Sequence, residues 1–279
     1  MQKAVSDITV FADGLDHPES VAIHPDGSIW CGGEAGQIYR ITANGKQIEE
    51  MANTGGFVLG IAFSPSADWL AICDLKHCCV WRFDLLTRML TRLELEENTP
   101  PIRIPNYPVF DHSGNIYVSD SGAFREVSGM IYRFDCNAKG KVWHPGPFSF
   151  TNGMALSENQ RSLYAVCSWL PGIEQIKILD DGTAGERSVL VEMPGTCPDG
   201  IAIDQSGNFY ISCYAPNSIY KYAPSGGLSI LVHDWEAHTI CNPTNIAFGG
   251  PGNQQLFIAN LGRWHIATMK MDIPGLLLH

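Results

Sequence analysis

A repeated segment constrains the fold of this 279-residue chain more than any other feature. One short apolar pattern occurs six times, at His17–Ile23, Phe57–Phe63, Ile104–Phe110, Phe150–Leu156, Cys197–Ile203 and Asn242–Phe248. The equivalent positions 19, 59, 106, 152, 199 and 244 are separated by 40 to 47 residues, and the residue three places later is alanine in five repeats and valine in one. Repeats of this length are typical of solenoids and propellers, and a fixed small residue favours a crowded inner strand.

Each repeat continues through a polar turn into further short alternating segments, as in Asn115–Val118 and Met130–Arg133. None of the six segments shows a sustained helical period, so the pattern predicts four antiparallel strands per repeat. The sequence therefore predicts an all-β, six-bladed β-propeller occupying residues 1–279 as a single domain. The last repeat has no clear fourth strand, and we expect Asp7–Phe11 to supply it and close the ring.

Composition excludes several functions. Acidic residues outnumber basic ones, 29 to 18, for a net charge of −11, and there is no basic run, which argues against a nucleic-acid partner or an anionic membrane surface. No segment is long and apolar enough to span a membrane, and no signal peptide is evident. The nine cysteines include no C-x-x-C pair, which predicts reduced thiols in a cytoplasmic protein. His77-Cys78-Cys79 is a dense soft-ligand cluster, but it lacks the second half of a zinc site.

The topology of an up-and-down blade places equivalent strand starts at one mouth of the central channel. Oxygen-bearing side chains recur at that position: Glu19, Asn106, Asn152, Asp199 and Thr244. Oxygen donors without thiolates or imidazoles suit Ca²⁺, Mg²⁺ or Mn²⁺. The alternative is that these residues only cap strand ends or bind channel water.

Loops that follow the second strands are expected to surround this mouth. Their candidate substrate contacts are Arg125, Trp169, Tyr214, Trp264, His265 and His77. Phe124-Arg125-Glu126 lies in a long loop between Gly122 and Gly129, which favours a lid. The alternative is structural: such aromatic residues pack between blades, and a single histidine is commonly a packing residue.

The chain resembles the regucalcin/gluconolactonase family of six-bladed propellers. The matching stretches are His17-Pro18-Glu19-Ser20, Pro105-Asn106, Thr151–Ser157 and Pro198–Ala202. The resemblance implies that Glu19, Asn152 and Asp199 bind one divalent cation, with Asn106 near metal and substrate. It implies Ca²⁺, with Mg²⁺, Mn²⁺ or Zn²⁺ as substitutes, and hydrolysis of a lactone or related ester.

The third repeat departs from the family pattern. Sugar-lactone members often carry Arg-x-Asn-Asp-Gly, whereas here Tyr107 follows Asn106, and Arg103 lies three residues before that asparagine. The resemblance therefore does not extend to a sugar-lactone substrate, and Arg103 matches only loosely.

These observations predict a metal-dependent lactonase or esterase in which Asp199 acts as general base on a water molecule. The sequence contains no Gly-x-Ser-x-Gly elbow, which argues against a serine hydrolase. Two alternatives remain: a calcium- or ligand-binding propeller without turnover, and a condensing enzyme like strictosidine synthase. The expected partner is a small molecule, and the expected assembly is a monomer or weak homodimer.

Overall fold

A computed structural model of the chain describes residues 2–277, which form 25 β-strands in six small sheets. Helical structure within these residues is limited to two 3-10 turns, Val5–Asp7 and Pro251–Asn253. None of the helical segments described could cross a membrane. The strands fall into two compact units, one running to Val58 and resuming over Gly195–Leu277, the other covering Leu59–Pro194.

The first unit holds three four-stranded sheets. Their strands are β1 (Ile8–Asp13), β2 (Ala22–Ile23), β3 (Ile29–Gly32), β4 (Gln37–Ile41), β5 (Ile48–Asn53), β19 (Cys197–Ile203), β20 (Phe209–Ala215), β21 (Ser218–Ala223), β22 (Gly227–His233), β23 (Pro243–Gly249), β24 (Gln255–Asn260) and β25 (His265–Lys270). The sheet orders are β2-β3-β4-β5, β19-β20-β21-β22 and β1-β25-β24-β23.

The second unit holds the other three sheets. Their strands are β6 (Val58–Phe63), β7 (Trp69–Asp74), β8 (Cys79–Asp84), β9 (Leu90–Arg92), β10 (Glu94–Leu95), β11 (Pro105–Phe110), β12 (Ile116–Asp120), β13 (Gly129–Phe134), β14 (Lys139–Phe148), β15 (Thr151–Leu156), β16 (Ser162–Cys167), β17 (Gly172–Ile178) and β18 (Ala184–Glu192). One sheet gains a fifth strand, because β10 pairs in parallel with β14.

Six successive antiparallel meanders are the topology of a six-bladed β-propeller, so the predicted fold class is confirmed. The predicted closing strand is also confirmed. Strand β1 pairs with β25, from Ile8 opposite Met269 to Asp13 opposite His265. The prediction that residues 1–279 form a single domain stays a prediction.

Apolar side chains are buried between neighbouring sheets of the same unit. In the first unit Tyr210, Ile219 and Val232 pack with residues of the last sheet, including Ile246 and Ile258. The alanine at the repeated position contributes to this packing, since Ala202 and Ala247 each lie against an apolar cluster. Burying such side chains contributes about 25 cal/mol per Å² of apolar surface removed from water.

A β-bulge recurs at the same place in four inner strands. Three residues of the inner strand span two of its partner between Pro105 and Pro108, Thr151 and Met154, Pro198 and Ile201, and Pro243 and Ile246. The extra residues are those of the predicted metal column and the residues after them. A bulge redirects a side chain and ends regular pairing, so one backbone irregularity sets the orientation of Asn106, Asn152 and Asp199.

A serine hydroxyl stabilises the bulge in each unit. The Tyr107 N–H donates to Ser119 Oγ at 2.9 Å, and that hydroxyl donates to the Asn152 carbonyl at 2.8 Å. In the first unit the Gly200 N–H donates to Ser212 Oγ at 3.1 Å, and Ser212 donates to the Thr244 carbonyl. Each serine thereby satisfies a backbone donor that the bulge removes from the ladder and ties it to the following inner strand.

The first repeat departs from the expected strand. His17–Ile23 was predicted as an inner strand, but only Ala22–Ile23 pairs with β3. Pro18 has no N–H to donate, and His17 has a φ of 43°, which no regular strand accommodates. Glu19 therefore lies on irregular backbone before the strand.

Gly200 is expected to be required for the bulge beside Asp199. A Cβ there would lie 2.5 Å from the Thr244 carbonyl oxygen and 2.8 Å from the Asn245 Cα, both of them backbone atoms. Gly200→Ala should therefore lower the free energy of unfolding by about 1–3 kcal/mol, as overpacking does. Gly226→Ala is the matched control, because its Cβ would meet only Ala223 Cβ at 3.5 Å. Equal denaturant midpoints for the two variants would contradict this account.

Candidate metal and substrate site

The first unit contains a pair of buried carboxylates. Glu19 is 4% exposed and Asp199 is 6% exposed. The irregular backbone at Glu19 is held by the last inner strand, since its carbonyl accepts hydrogen bonds from Thr244 Oγ1 at 2.6 Å and Asn245 Nδ2 at 3.1 Å. Thr244 therefore has a positioning role, although it belongs to the predicted column.

Burial and mutual repulsion act together on this pair. Burial raises the pKa of Glu19 well above its ordinary value, the negative charge of Asp199 raises it further, and a hydrogen bond from Thr244 opposes the shift. Glu19 Oε2 is buried and accepts no hydrogen bond from the described residues. Two desolvated carboxylates in electrostatic contact are costly, and a bound cation is one means of offsetting that cost.

The second unit contains an equivalent pair of carboxamides, Asn106 and Asn152, each 4% exposed. Asn106 Nδ2 donates to Ser121 Oγ at 3.2 Å, and the Ser121 hydroxyl itself donates to the Thr151 carbonyl at 2.6 Å. Because the single proton of that hydroxyl is donated to Thr151, the hydroxyl oxygen can only accept a hydrogen bond from the amide. The Nδ2 atom of Asn106, and not its Oδ1 atom, therefore faces Ser121. Asn152 Nδ2 likewise donates to a serine hydroxyl, Ser168 Oγ, at 3.3 Å.

The outcome in both asparagines is a carbonyl oxygen left without a donor. Asn106 Oδ1 and Asn152 Oδ1 are buried and accept no hydrogen bond from the described part of the chain, like Glu19 Oε2. Strand caps would have satisfied these atoms, as buried polar atoms generally are. Buried atoms without partners in this part of the chain also include Ser20 Oγ and Gln37 Oε1, but the oxygens of Glu19, Asn106 and Asn152 are distinguished by their predicted ligand positions. Their chemistry is that of the oxygen donors that Ca²⁺ prefers.

The outer candidates in the first unit differ in character. Tyr214 is 40% exposed, and burial, with the charges of Glu19 and Asp199 among the smaller causes, raises the pKa of its hydroxyl. Trp264 is exposed and lies 5.6 Å from the His17 ring, centroid to centroid. His265 is buried, and its Nε2 lies 2.9 Å from the Thr239 carbonyl, which fixes Nε2 as the protonated nitrogen and gives the ring a packing role.

In the second unit, Trp169 and Arg125 lie in one aromatic neighbourhood. The Trp169 ring contacts Phe124 and Phe150, and the Arg125 guanidinium lies 5.4 Å from the Phe124 centroid. His77 is exposed, with Nδ1 2.8 Å from the buried Asp74 carboxylate. Arg103 is exposed, and its backbone N–H donates to Asp120 Oδ2 at 3.1 Å.

Several contributors were missed by sequence reasoning. Ser121 and Ser168 each follow the last residue of a second strand, and that shared position is the signal that could have identified them. Phe150 was treated only as part of a strand pattern. Asp16, His17 and Glu34 place their ligand atoms within 4.8 Å of one another, through contacts between His17 Nδ1 and the two carboxylates.

His77-Cys78-Cys79 does not form a convergent cluster. Within residues 2–277, Asp16, His17 and Glu34 are the one group of three His, Cys, Asp or Glu residues whose ligand atoms all lie within 4.8 Å of one another. All nine cysteines lie within the described residues as free thiols; Cys78 and Cys136 are exposed, Cys197 and Cys241 are half-buried, and the others are buried.

Comparison with known proteins decides the family. The sequence profile described as "SMP-30/Gluconolactonase/LRE-like region" matches residues 59–261. The chain belongs to this family. A second profile, described as "Strictosidine synthase-like, N-terminal", matches residues 4–41.

One relative by sequence is named as a lactonase. The chain is 26% identical over 180 residues to the lactonase drp35 of Staphylococcus saprophyticus, covering 60% of this chain and 55% of that protein. It thus spans about half the length of that relative.

Two solved structures share the fold. A gluconolactonase from Xanthomonas campestris aligns with a TM-score of 0.79 and 17% identity, over 96% of this chain and 89% of the other. A calcium-binding regucalcin from Agrobacterium tumefaciens aligns with a TM-score of 0.79 and 16% identity, over 95% and 94%.

Metal-free protein should show the cost of the Glu19 charge in its pH dependence. Because the folded-state pKa of Glu19 is raised, its contribution to stability is complete below the unfolded value, near 4.5, and is lost as pH rises through the folded value. With chelator present, Glu19→Gln should therefore gain stability relative to wild type between pH 5 and pH 8. Each kcal/mol corresponds to about 2–4 °C in Tm.

Glu97→Gln, at an exposed position, is the control and should follow wild type at every pH. Parallel Tm curves for Glu19→Gln and wild type across this range would contradict the buried, repelled state of Glu19.

Proposed function

We propose that this protein is a divalent-metal-dependent hydrolase that opens a lactone or a related ester. The observation that carries the proposal is the set of buried oxygens without hydrogen-bond donors at predicted ligand positions of a gluconolactonase-family fold. The lactonase drp35, a relative by sequence, and the gluconolactonase from Xanthomonas support the choice of substrate class.

In this proposal Glu19, Asn106, Asn152 and Asp199 are the protein ligands of the cation, and Ca²⁺ is the preferred ion. The donor set is two carboxylates and two carboxamides, which suits a hard cation. When bound, such an ion polarises the substrate carbonyl and stabilises the negative charge that develops on its oxygen.

The side chains have distinct tasks. Asp199 accepts a proton from the attacking water, and Glu19 supplies charge without taking part in proton transfer. Ser121 and Ser168 accept hydrogen bonds from the Nδ2 groups of Asn106 and Asn152. The Oδ1 atom of each asparagine therefore points away from its serine and is available to the cation. The Tyr214 hydroxyl is protonated at neutral pH, as tyrosine ordinarily is, and its raised pKa keeps it so, which leaves it able to donate a hydrogen bond to substrate.

A second candidate function is calcium or ligand binding without turnover. The Agrobacterium regucalcin, which aligns over almost the whole chain, is described as a calcium-binding protein. The same buried oxygens would serve such a function, so turnover is the property that separates the two candidates.

Two substitutions test the assignment of the base. Asp199→Asn keeps an oxygen ligand of similar size and removes the proton acceptor, so turnover of a responsive lactone should fall by about 10²–10⁴ even at saturating Ca²⁺. Glu19→Gln should show mainly weaker metal affinity, and added Ca²⁺ should restore most of its kcat. The measurement is kcat against Ca²⁺ concentration for a panel of sugar lactones, aliphatic lactones, aryl esters and phosphotriesters.

Recovery of Asp199→Asn by Ca²⁺ as complete as that of Glu19→Gln would make Asp199 a ligand only. No turnover of any panel member by metal-loaded wild type, together with measured Ca²⁺ binding, would favour the second candidate.

A further inference from the structure

Three aromatic rings form an exposed cluster in the second unit, here called the aromatic cluster: Phe124, Phe150 and Trp169. Every pair is in contact, with centroid distances of 6.2 Å between Phe124 and Phe150, 5.6 Å between Phe124 and Trp169, and 5.1 Å between Phe150 and Trp169. Phe124 is 62% exposed and Trp169 is 40% exposed. A contiguous cluster of exposed rings indicates a binding surface, because a ligand that covers it removes apolar surface from water.

The aromatic cluster is attached directly to the proposed ligand Asn152. Phe150 lies two residues before it, and Ser168, whose hydroxyl contacts Asn152 Nδ2, is followed by Trp169. Two backbone hydrogen bonds of 3.1 Å, from the Ser168 N–H to the Phe150 carbonyl and from the Trp169 N–H to the Ser149 carbonyl, join the two segments that carry these rings. The cluster therefore begins one residue away from the groups that orient the asparagine.

The third ring stands on a loop with defined internal bonds. The Gly122 N–H donates to Asp120 Oδ1 at 2.9 Å, and the Ala123 N–H donates to Ser128 Oγ at 2.9 Å. Asp120 is itself buried and also holds the backbone before β11. Phe124 is thus presented by an anchored loop, although its ring remains exposed.

The residue where sugar-lactone relatives are expected to carry an acidic side chain has a different role here. Tyr107 packs against the buried apolar cluster that contains Val109, Met154 and Leu163. It is therefore committed to the core and supplies no carboxylate to bind sugar hydroxyls. A polyhydroxylated ring packed on these aromatic faces could reach the Arg125 guanidinium over Phe124, but its other hydroxyls would lose water against the rings without gaining partners.

We infer that the substrate carries an apolar group, an alkyl chain or an aromatic ring, which packs on the aromatic cluster while its carbonyl lies beside the proposed ligand Asn152. This inference rests on the proposed hydrolysis, in which one water adds to the carbonyl carbon, the ring C–O bond breaks, and the leaving oxygen takes a proton to give a hydroxy acid. Apolar pockets with few polar groups commonly set ligand preference in this way.

The test compares γ-butyrolactone, γ-nonalactone and D-glucono-δ-lactone in metal-loaded enzyme. Wild type should favour γ-nonalactone over γ-butyrolactone in kcat/KM by at least about 10²-fold, since each buried methylene contributes about fourfold. Phe124→Ala and Trp169→Ala should reduce that preference, the ratio of the two kcat/KM values, about tenfold or more. Phe124→Leu should retain part of it, and Trp235→Ala, at another exposed tryptophan, should retain all of it.

Binding of the five-membered lactam with the same alkyl chain, followed by tryptophan fluorescence, separates this inference from the proposed function. Lactam binding that Phe124→Ala weakens, without hydrolysis of any lactone, would overturn the hydrolase and support the apolar site. Equal kcat/KM for the three lactones, or an alkyl preference unchanged in both alanine variants, would overturn the inference. A change of oligomeric state in Phe124→Ala without a change in alkyl preference would overturn it as well, and would identify a protein interface.

Discussion

The recurring β-bulge in the inner strands is the constraint on which the proposed site depends. A regular strand would direct alternate side chains to opposite faces and pair every backbone donor. One extra residue at Asn106, Asn152 and Asp199 breaks that pattern at the equivalent position of three inner strands. Ser119 and Ser212 stabilise the break, because each hydroxyl accepts from the freed N–H and donates to the next inner strand. The site is therefore built from backbone geometry that the repeat reproduces.

The buried surroundings of the carboxylate pair disfavour its ionised form. Burial and the charge of Asp199 both disfavour ionised Glu19, and the oxygens of Asn106 and Asn152 lack donors. Such groups reduce the stability of a protein unless something compensates them. The apolar contacts between sheets supply the stability that allows this arrangement, and a cation is the compensating group that the donor chemistry favours. The apolar contacts between sheets thus stabilise the fold, whereas the buried oxygens are at the proposed ligand positions.

Much of this was predictable from sequence, for identifiable reasons. The repeat interval fixed the number of sheets, and the missing last strand together with the unassigned residues near the start predicted the pairing of β1 with β25. The equivalent strand positions of Asn106, Asn152 and Asp199 were predictable because the repeat aligns them. The prediction of a full strand over His17–Ile23 was wrong, because Pro18 and the backbone conformation of His17 prevent pairing before Ala22. The serine bonds and the contact of Phe150 with Trp169 depend on side-chain geometry between strands, which residue spacing does not encode.

Calorimetric titration of Ca²⁺ into chelator-stripped protein is the most direct test of the proposed cation site. We expect one ion bound per chain, with affinity lowered at least about tenfold by Asn152→Ala and by Asn106→Ala, because each removes one ligand oxygen of the ion. Ser121→Ala should weaken binding less than Asn106→Ala, because it releases only the orientation of that asparagine. Binding of Ca²⁺ with unchanged affinity in both asparagine variants would contradict the claim that these buried oxygens hold a cation.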